Sequence, residues 1–208
     1  MIKREKRLAV ATVGLAAAMF ALGVMGALRL SYSNNDIPVE MLVYTQTTPD
    51  IPVILSDIER LGDETGKGKE LRITVDSTDG FSWPWAWYLR DFTRVSYPCL
   101  SSDSGCTALT EPPDADVVLL AARNQSTAAK SLREFGGAVR YKHRWWFPES
   151  YRGLDPETIA GSMWDKESWR RVVDYFLFRD FPEDRLGSVD AYAYFSKDFR
   201  PTDLTARD

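Results

Sequence analysis

The chain has 208 residues, 44% of them hydrophobic and 27% charged, which is the make-up of a folded protein with room for one ordinary domain and an appendage rather than of a disordered chain. Its formal net charge of -4 argues against a nucleic-acid partner, because phosphate binding needs a clustered excess of Lys and Arg. The basic residues that do cluster, Lys3, Arg4, Lys6 and Arg7, stand together at the amino end.

No charged side chain occurs between Leu8 and Leu28, and apart from Thr12 the run is built from Ala, Val, Leu, Met, Phe and Gly. A helix of that length crosses a hydrocarbon core of about 30 Å. The basic residues before it and the polar Ser31, Ser33, Asn34 and Asn35 after Arg29 orient it by the positive-inside rule. Residues 1–7 are then a cytoplasmic basic segment, residues 8–30 (from Leu8 to Leu30) a membrane helix, and everything beyond is extracytoplasmic. A cleavable signal peptide has the same plan, but its apolar core is usually only about 7 to 15 residues long, so a retained single-pass anchor is the expectation. Gly14, Gly23 and Gly26 give this helix a small-residue surface that suits packing on another membrane helix.

Residues 31–38 read as a linker, residues 39–199 as the extracytoplasmic domain and residues 200–208 as a flexible polar tail. Val39, Met41, Leu42, Val43 and Tyr44 predict a first strand. Thr45 to Asp50 would bridge to a helix whose apolar face is Ile51, Ile54, Leu55, Ile58 and Leu61, ended at Gly62 and the Gly66-Lys67-Gly68 turn. Residues 71–75 repeat the strand, and Asp76 to Gly80 the polar bridge. Trp83-Pro84-Trp85-Ala86-Trp87-Tyr88-Leu89-Arg90-Asp91 then opens a second helix. Residues 94–97 predict a short strand, residues 116–121 a buried one, residues 124–135 a helix stopped by Gly136 and Gly137, and residues 138–141 a further strand leading into His143 to Glu149. An amphipathic helix over residues 162–178, ended at Phe181-Pro182, precedes a last edge strand over residues 189–195. Strands alternating with helices predict a Rossmann-like three-layer α/β domain with a mostly parallel sheet, preceded by one transmembrane helix.

Cys99 and Cys106 flank a loop-like Leu-Ser-Ser-Asp-Ser-Gly and lack a third Cys or a His nearby, so a disulfide is expected and a zinc site is not. Two unrelated thiols are the alternative. No Gly-rich phosphate fingerprint follows any strand, so no dinucleotide or other cofactor is expected.

The tryptophan run falls just past the carboxyl end of a strand, where ligands of open α/β sheets bind. Trp83, Trp85, Trp87, Tyr88, Trp145 and Trp146 offer stacking surface, and Asp76, Arg90, Asp91, His143, Arg144 and Glu149 the nearby polar contacts. Rings stacking on sugar faces and guanidinium groups forking onto phosphate make this a carbohydrate or phosphoglycan site if the two clusters share one rim. The same rings serve equally as core. Asp76 and Asp79 carry acid-base chemistry in a catalytic reading and form a turn in a structural one. The single histidine builds no metal cluster, and no Ser-His-Asp order is legible.

The runs "VYTQTTPDIPVILSDIERL", "ITVDSTDGFSWPWAWYLRDF", "DADVVLLAAR" and "YKHRWWFPESY" resemble the carboxyl-terminal exoplasmic domain of the flippase activity-associated membrane proteins, which are similar to glycosyltransferase family 39 within the GT-C superfamily. The tryptophan run and the Arg144-Trp145-Trp146-Phe147-Pro148-Glu149 run are the specific part of the likeness, which extends from about Met41 to Tyr151. The resemblance implies a role in lipid-linked glycosyl transfer, with a multi-helix membrane glycosyltransferase and a lipid-linked sugar or glycan as partners. The family carries its acidic catalytic residues in an early loop among many membrane helices, and this chain has one such helix, so the likeness places no catalytic residue here. A glycan-contacting or partner-docking module, separately encoded or cut from a larger reading frame, is the expectation. A glycan-processing enzyme using Asp76 or Glu149 and a purely structural extension are its rivals.

Overall fold

The computed structural model describes residues 2–34, 36–41, 44–149, 153–181 and 186–204, with the side chains of residues 2–4 left aside. It is a mixed α/β protein with one long apolar helix at the amino end, and it divides into two compact units, residues 1–44 with 147–186, and residues 45–146 with 187–208. The expected single domain over residues 39–199 is therefore interrupted by a segment that belongs with the amino-terminal helix.

In the first unit, helix α1 (Ile2–Leu28) has 27 residues and runs on into a π-type turn, Arg29–Ser33. At ~1.5 Å per residue it rises ~40 Å, longer than a hydrocarbon core of ~30 Å. Residues Glu5–Ser33 have a mean hydropathy of 2.2 over their most apolar window, none of which is buried. The strand expected from Val39 is not formed: Val39, Glu40 and Met41 lie in turns, and Leu42 and Val43 fall outside the described residues.

The second unit is built on a six-stranded sheet. Its strands are β1 (Gln46–Thr47), β2 (Arg72–Val75), β3 (Arg94–Ser96), β4 (Val117–Ala121), β5 (Val139–Trp146) and β6 (Gly187–Phe195), in the spatial order β1-β5-β6-β4-β2-β3. β2 pairs in parallel with β3 and β4, while β6 runs antiparallel to both β4 and β5, and β1 antiparallel to β5. The sheet is thus mixed and curled rather than mostly parallel. The last strand sits inside it rather than at its edge. Small Ala191 and Ala193 let β6 lie flat under the core between two neighbours, and both are fully buried.

Every residue of β4 is buried, so both of its faces are covered. On one side, Val117, Leu119 and Ala121 meet helix α2 (Asp50–Glu64) through Ile51, Ile54, Ile58 and Leu61, and helix α3 (Ser82–Tyr88) through Trp85. On the other, Val118 and Leu120 meet Leu100 of the cysteine loop, Tyr194, and Ala128 and Leu132. The helix expected over residues 124–135 shortens to α4 (Gln125–Ala128), followed by turns. Cys99 and Cys106 form the expected disulfide, with Cα atoms 4.9 Å apart.

One buried carboxylate ties these parts together. Asp76, at the end of β2, is fully buried. Its Oδ1 accepts from the Thr78 amide at 2.9 Å, the Thr78 hydroxyl at 2.6 Å and the Leu100 amide at 3.1 Å. Its Oδ2 accepts from Asn124 Nδ2 at 2.7 Å and the Ala121 amide at 3.3 Å. A smaller clamp of the same kind holds the carboxyl end: Asp57, buried in α2, accepts from the Thr202 amide at 2.8 Å and hydroxyl at 2.9 Å. With Leu204 also buried, the tail expected to be free from Arg200 is fixed through Leu204, and residues 205–208 lie outside the described residues.

Removing the Asp76 anion strands several buried donors at once, so Asp76→Ala is expected to cost about 4 kcal/mol in urea unfolding of the detergent-solubilised chain. Asp79→Asn, which loses only an exposed ion pair to Arg123 and suits the left-handed backbone there (φ 52°), is expected to cost under about 1 kcal/mol.

Candidate functional site

The tryptophan run folds as the short helix α3, with an extended backbone at Trp83 (φ -88°, ψ 124°) and a cis bond to Pro84. A residue before proline is pushed out of the helical region, so the helical turns proper begin after Trp83. The consequence for the rings is a division of labour. Trp85 is fully buried, whereas Trp83 and Trp87 are 63% and 60% exposed. Tyr88 is half-buried and meets Trp85 edge-on at 6.4 Å. Past the helix, the Arg90 guanidinium lies 4.5 Å from the centroid of Trp87 and donates to the Trp87 carbonyl at 2.9 Å, with the exposed Asp91 carboxylate 4.0 Å away. One face of Trp87 is therefore covered by a cation, and such a contact holds the ring outward.

The second aromatic run lies within β5, not beyond it. A β-bulge between Lys142 and Arg144 inserts His143 as an extra residue, and it is fully buried. There it stacks on Phe81 with centroids 4.2 Å apart, and its Nε2 donates to the Trp83 carbonyl at 2.9 Å. Tyr141, one inward position earlier, accepts from Trp85 Nε1 at 3.2 Å, and burial pushes its phenol pKa upward. The two sequence clusters do meet, through a buried Phe81–Trp85–Tyr141–His143 group rather than along one open rim. Burial holds the His143 imidazole down to about 4, against the pull of the Trp83 carbonyl and with the help of the Arg144 charge, so it is neutral at physiological pH.

Of the remaining expected residues, Trp145 is half-buried with the Lys142 ammonium 5.8 Å from its ring, and the Trp146 indole occupies the space that a side chain at Gly187 would need. Arg144 is half-buried, and its buried Nε has no acceptor among the described residues. It lines a cleft of about 130 Å³ at the carboxyl ends of β2 and β4, together with Thr78, Phe81, Ala122 and Val189. Arg123 and Asp190 line it too, already paired with Asp79 and Asp103 and with Arg140. Glu149 belongs to the other unit and is not part of this cleft.

Asp76 is not a surface contact: it is enclosed and its oxygens are occupied, so it serves as scaffold. Its partners Thr78 and Asn124 escaped the sequence reading. The one available signal was a polar side chain placed three residues beyond the end of each of the two strands. No group of three or more metal-ligating side chains occurs among the described residues. No protein-family model, curated protein or solved structure matches this chain.

A histidine whose folded pKa is depressed contributes stability above its unfolded value near 6.5 and loses it as pH falls through the folded value. With His143 held down to about 4, the chain is expected to lose about 3 kcal/mol of unfolding free energy between pH 6.5 and 4, at ~1.4 kcal/mol per unit. His143→Gln, which keeps a donor for the Trp83 carbonyl but does not titrate, should flatten that part of the urea-midpoint against pH curve.

Proposed function

We propose that this chain is a membrane-anchored extracytoplasmic module that contacts glycan in lipid-linked glycosyl transfer, beside a multi-helix membrane glycosyltransferase. The observation that carries the reading is the pair of outward tryptophans, Trp83 and Trp87, with Arg90 laid on the latter, at the carboxyl end of a β2 strand whose neighbours run parallel to it. Exposed indole rings flanked by a guanidinium and a carboxylate match the needs of a sugar: apolar faces to stack on and fixed charges to orient the hydroxyl or phosphate groups. The motif likeness to the flippase activity-associated proteins supplies the glycosyl-transfer context.

Placement outside the cytoplasm draws support from two features. The basic residues Lys3, Arg4, Lys6 and Arg7 stand in the first turns of α1, ahead of its uncharged run, and Cys99 and Cys106 are joined, as suits an oxidising compartment. The rival enzymatic reading loses its first carboxylate, because Asp76 offers no surface to a substrate. The structural reading accounts for Trp85 but leaves Trp83 and Trp87 without a packing role.

On an array of neutral and phosphorylated oligosaccharides, the detergent-solubilised chain is expected to bind members that the Trp83→Ala and Trp87→Ala variants bind about tenfold more weakly each, the effect of losing one stacked ring of about 1.4 kcal/mol. Binding unchanged in both variants, or absent from the whole array in the unaltered chain, removes the glycan reading.

A further inference from the structure

The first unit holds two helices with most of their large apolar side chains exposed among the described residues. Helix α5 (Pro156–Met163) is capped by the Asp155 carboxylate, which accepts from the Thr158 amide at 2.7 Å, and opens with Pro156. Helix α6 (Lys166–Phe178) is capped by Asp165, which accepts from the Ser168 amide at 2.9 Å. That second cap divides what the apolar periodicity predicts as one helix over residues 162–178. Trp169 Nε1 donates to the Met163 carbonyl at 2.8 Å and joins the two.

Neither helix has a buried residue. On α6, Trp169, Val172, Val173 and Phe176 recur at helical spacing and are each about half exposed, and Trp164 between the helices is 90% exposed. The other side of α6 carries Glu167, Arg170, Arg171 and Asp174. A helix so divided, with tryptophan on its apolar side, has the pattern of one that lies along a bilayer surface.

The rest of the unit says which surface. The Arg29 guanidinium, where α1 ends, donates to the Leu177 carbonyl of α6. Just beyond α6, the Arg179 guanidinium pairs with Glu40 at 2.9 Å, a contact that is largely buried on both sides. Tyr175 donates its hydroxyl to the Val39 carbonyl at 2.9 Å. Phe176 and Arg179 flank a groove of about 390 Å³ whose other wall is Leu22, Met25, Gly26 and Arg29 of the apolar span. The carboxyl end of α6 is thus fixed beside the last turns of the apolar helix α1, with Phe176 at the level of those turns.

We propose that α5 and α6 lie in the interfacial zone of the bilayer that α1 spans, on the leaflet where α1 leaves it, with Trp164, Trp169, Val173 and Phe176 turned to lipid. The partner is the lipid surface itself, and the proposal rests on the reading of α1 as a membrane span. It is independent of whether α3 contacts glycan. A surface helix at the exit of a span limits how far the following chain swings from the membrane, which suits work on a lipid-linked substrate.

The test is spin-label accessibility in the full chain, reconstituted into vesicles of phosphatidylcholine with phosphatidylglycerol. Nitroxides are placed singly through Val173→Cys, Arg170→Cys and Ala17→Cys. All three positions are exposed, so no packed side chain is displaced, and the native cysteines are held in their disulfide. Oxygen partitions into lipid and a nickel chelate stays in water. The expected result is an oxygen-to-nickel ratio at Val173 several-fold above that at Arg170 and below that at Ala17, which lies near the middle of the apolar run. Equal ratios at Val173 and Arg170, with Ala17 lipid-like, place the helices in water and overturn the proposal while leaving the span intact. A water-like Ala17 removes the span and the proposal with it. Dipolar broadening at Val173 puts a second copy on this face and overturns the lipid assignment.

Discussion

The Asp76 carboxylate is the constraint on which the second unit depends. It draws donors from its own turn, from the cysteine loop, from the end of β4 and from Asn124, and so fixes four stretches of chain around the carboxyl ends of two parallel strands. A buried anion without those donors would be prohibitively costly, and those donors without the anion would be buried and unpaired. Each side requires the other, which makes the arrangement cooperative. The position of α3, which begins only a few residues after Asp76, inherits that rigidity.

From this fixed point the aromatic residues divide between two tasks. Phe81, Trp85, Tyr141 and His143 form a buried group that joins α3 to β5, with a neutral imidazole as one of its rings. Trp83 and Trp87 stay outside, and the core behind them holds their backbone in place. A platform for a flat ligand face needs both properties, exposure of the rings and stiffness of what carries them. The cleft bordered by Arg144 lies nearby in the fold, where β2 and β4 end.

The first unit follows a different logic. Among the described residues α5 and α6 have none that is buried, and polar contacts join Arg29 to Leu177, Arg179 to Glu40 and Tyr175 to Val39, with Phe147, Tyr175 and Phe181 in aromatic contact. In water such an assembly would expose a large apolar area at every turn. The proposed lipid surface would cover that area, and the polar contacts gather where the apolar helix α1 ends.

Much was legible in the sequence wherever one short stretch held all the information. The uncharged run of α1, the spacing of Ile51, Ile54, Ile58 and Leu61, the unbroken apolar β4 and the closely spaced Cys99 and Cys106 are local patterns, and each became the element they announced. Strand order was not legible, because β6 reaches its place between β4 and β5 only after an intervening segment that packs elsewhere. The site was half legible for the same reason. Chain position put the tryptophan run at the end of β2, but which ring turned inward depended on Tyr141, which lies 56 residues from Trp85. A single bulge in β5 sent His143 into the core, and Asp76 became scaffold because Asn124, 48 residues away, came to meet it. The sequence by itself determined the apolar helix α1, the amphipathic helix α2 and the buried strand β4, since period and composition act within a few residues. Only the tertiary structure decided which polar and aromatic groups face solvent, since burial is set by partners distant in the chain.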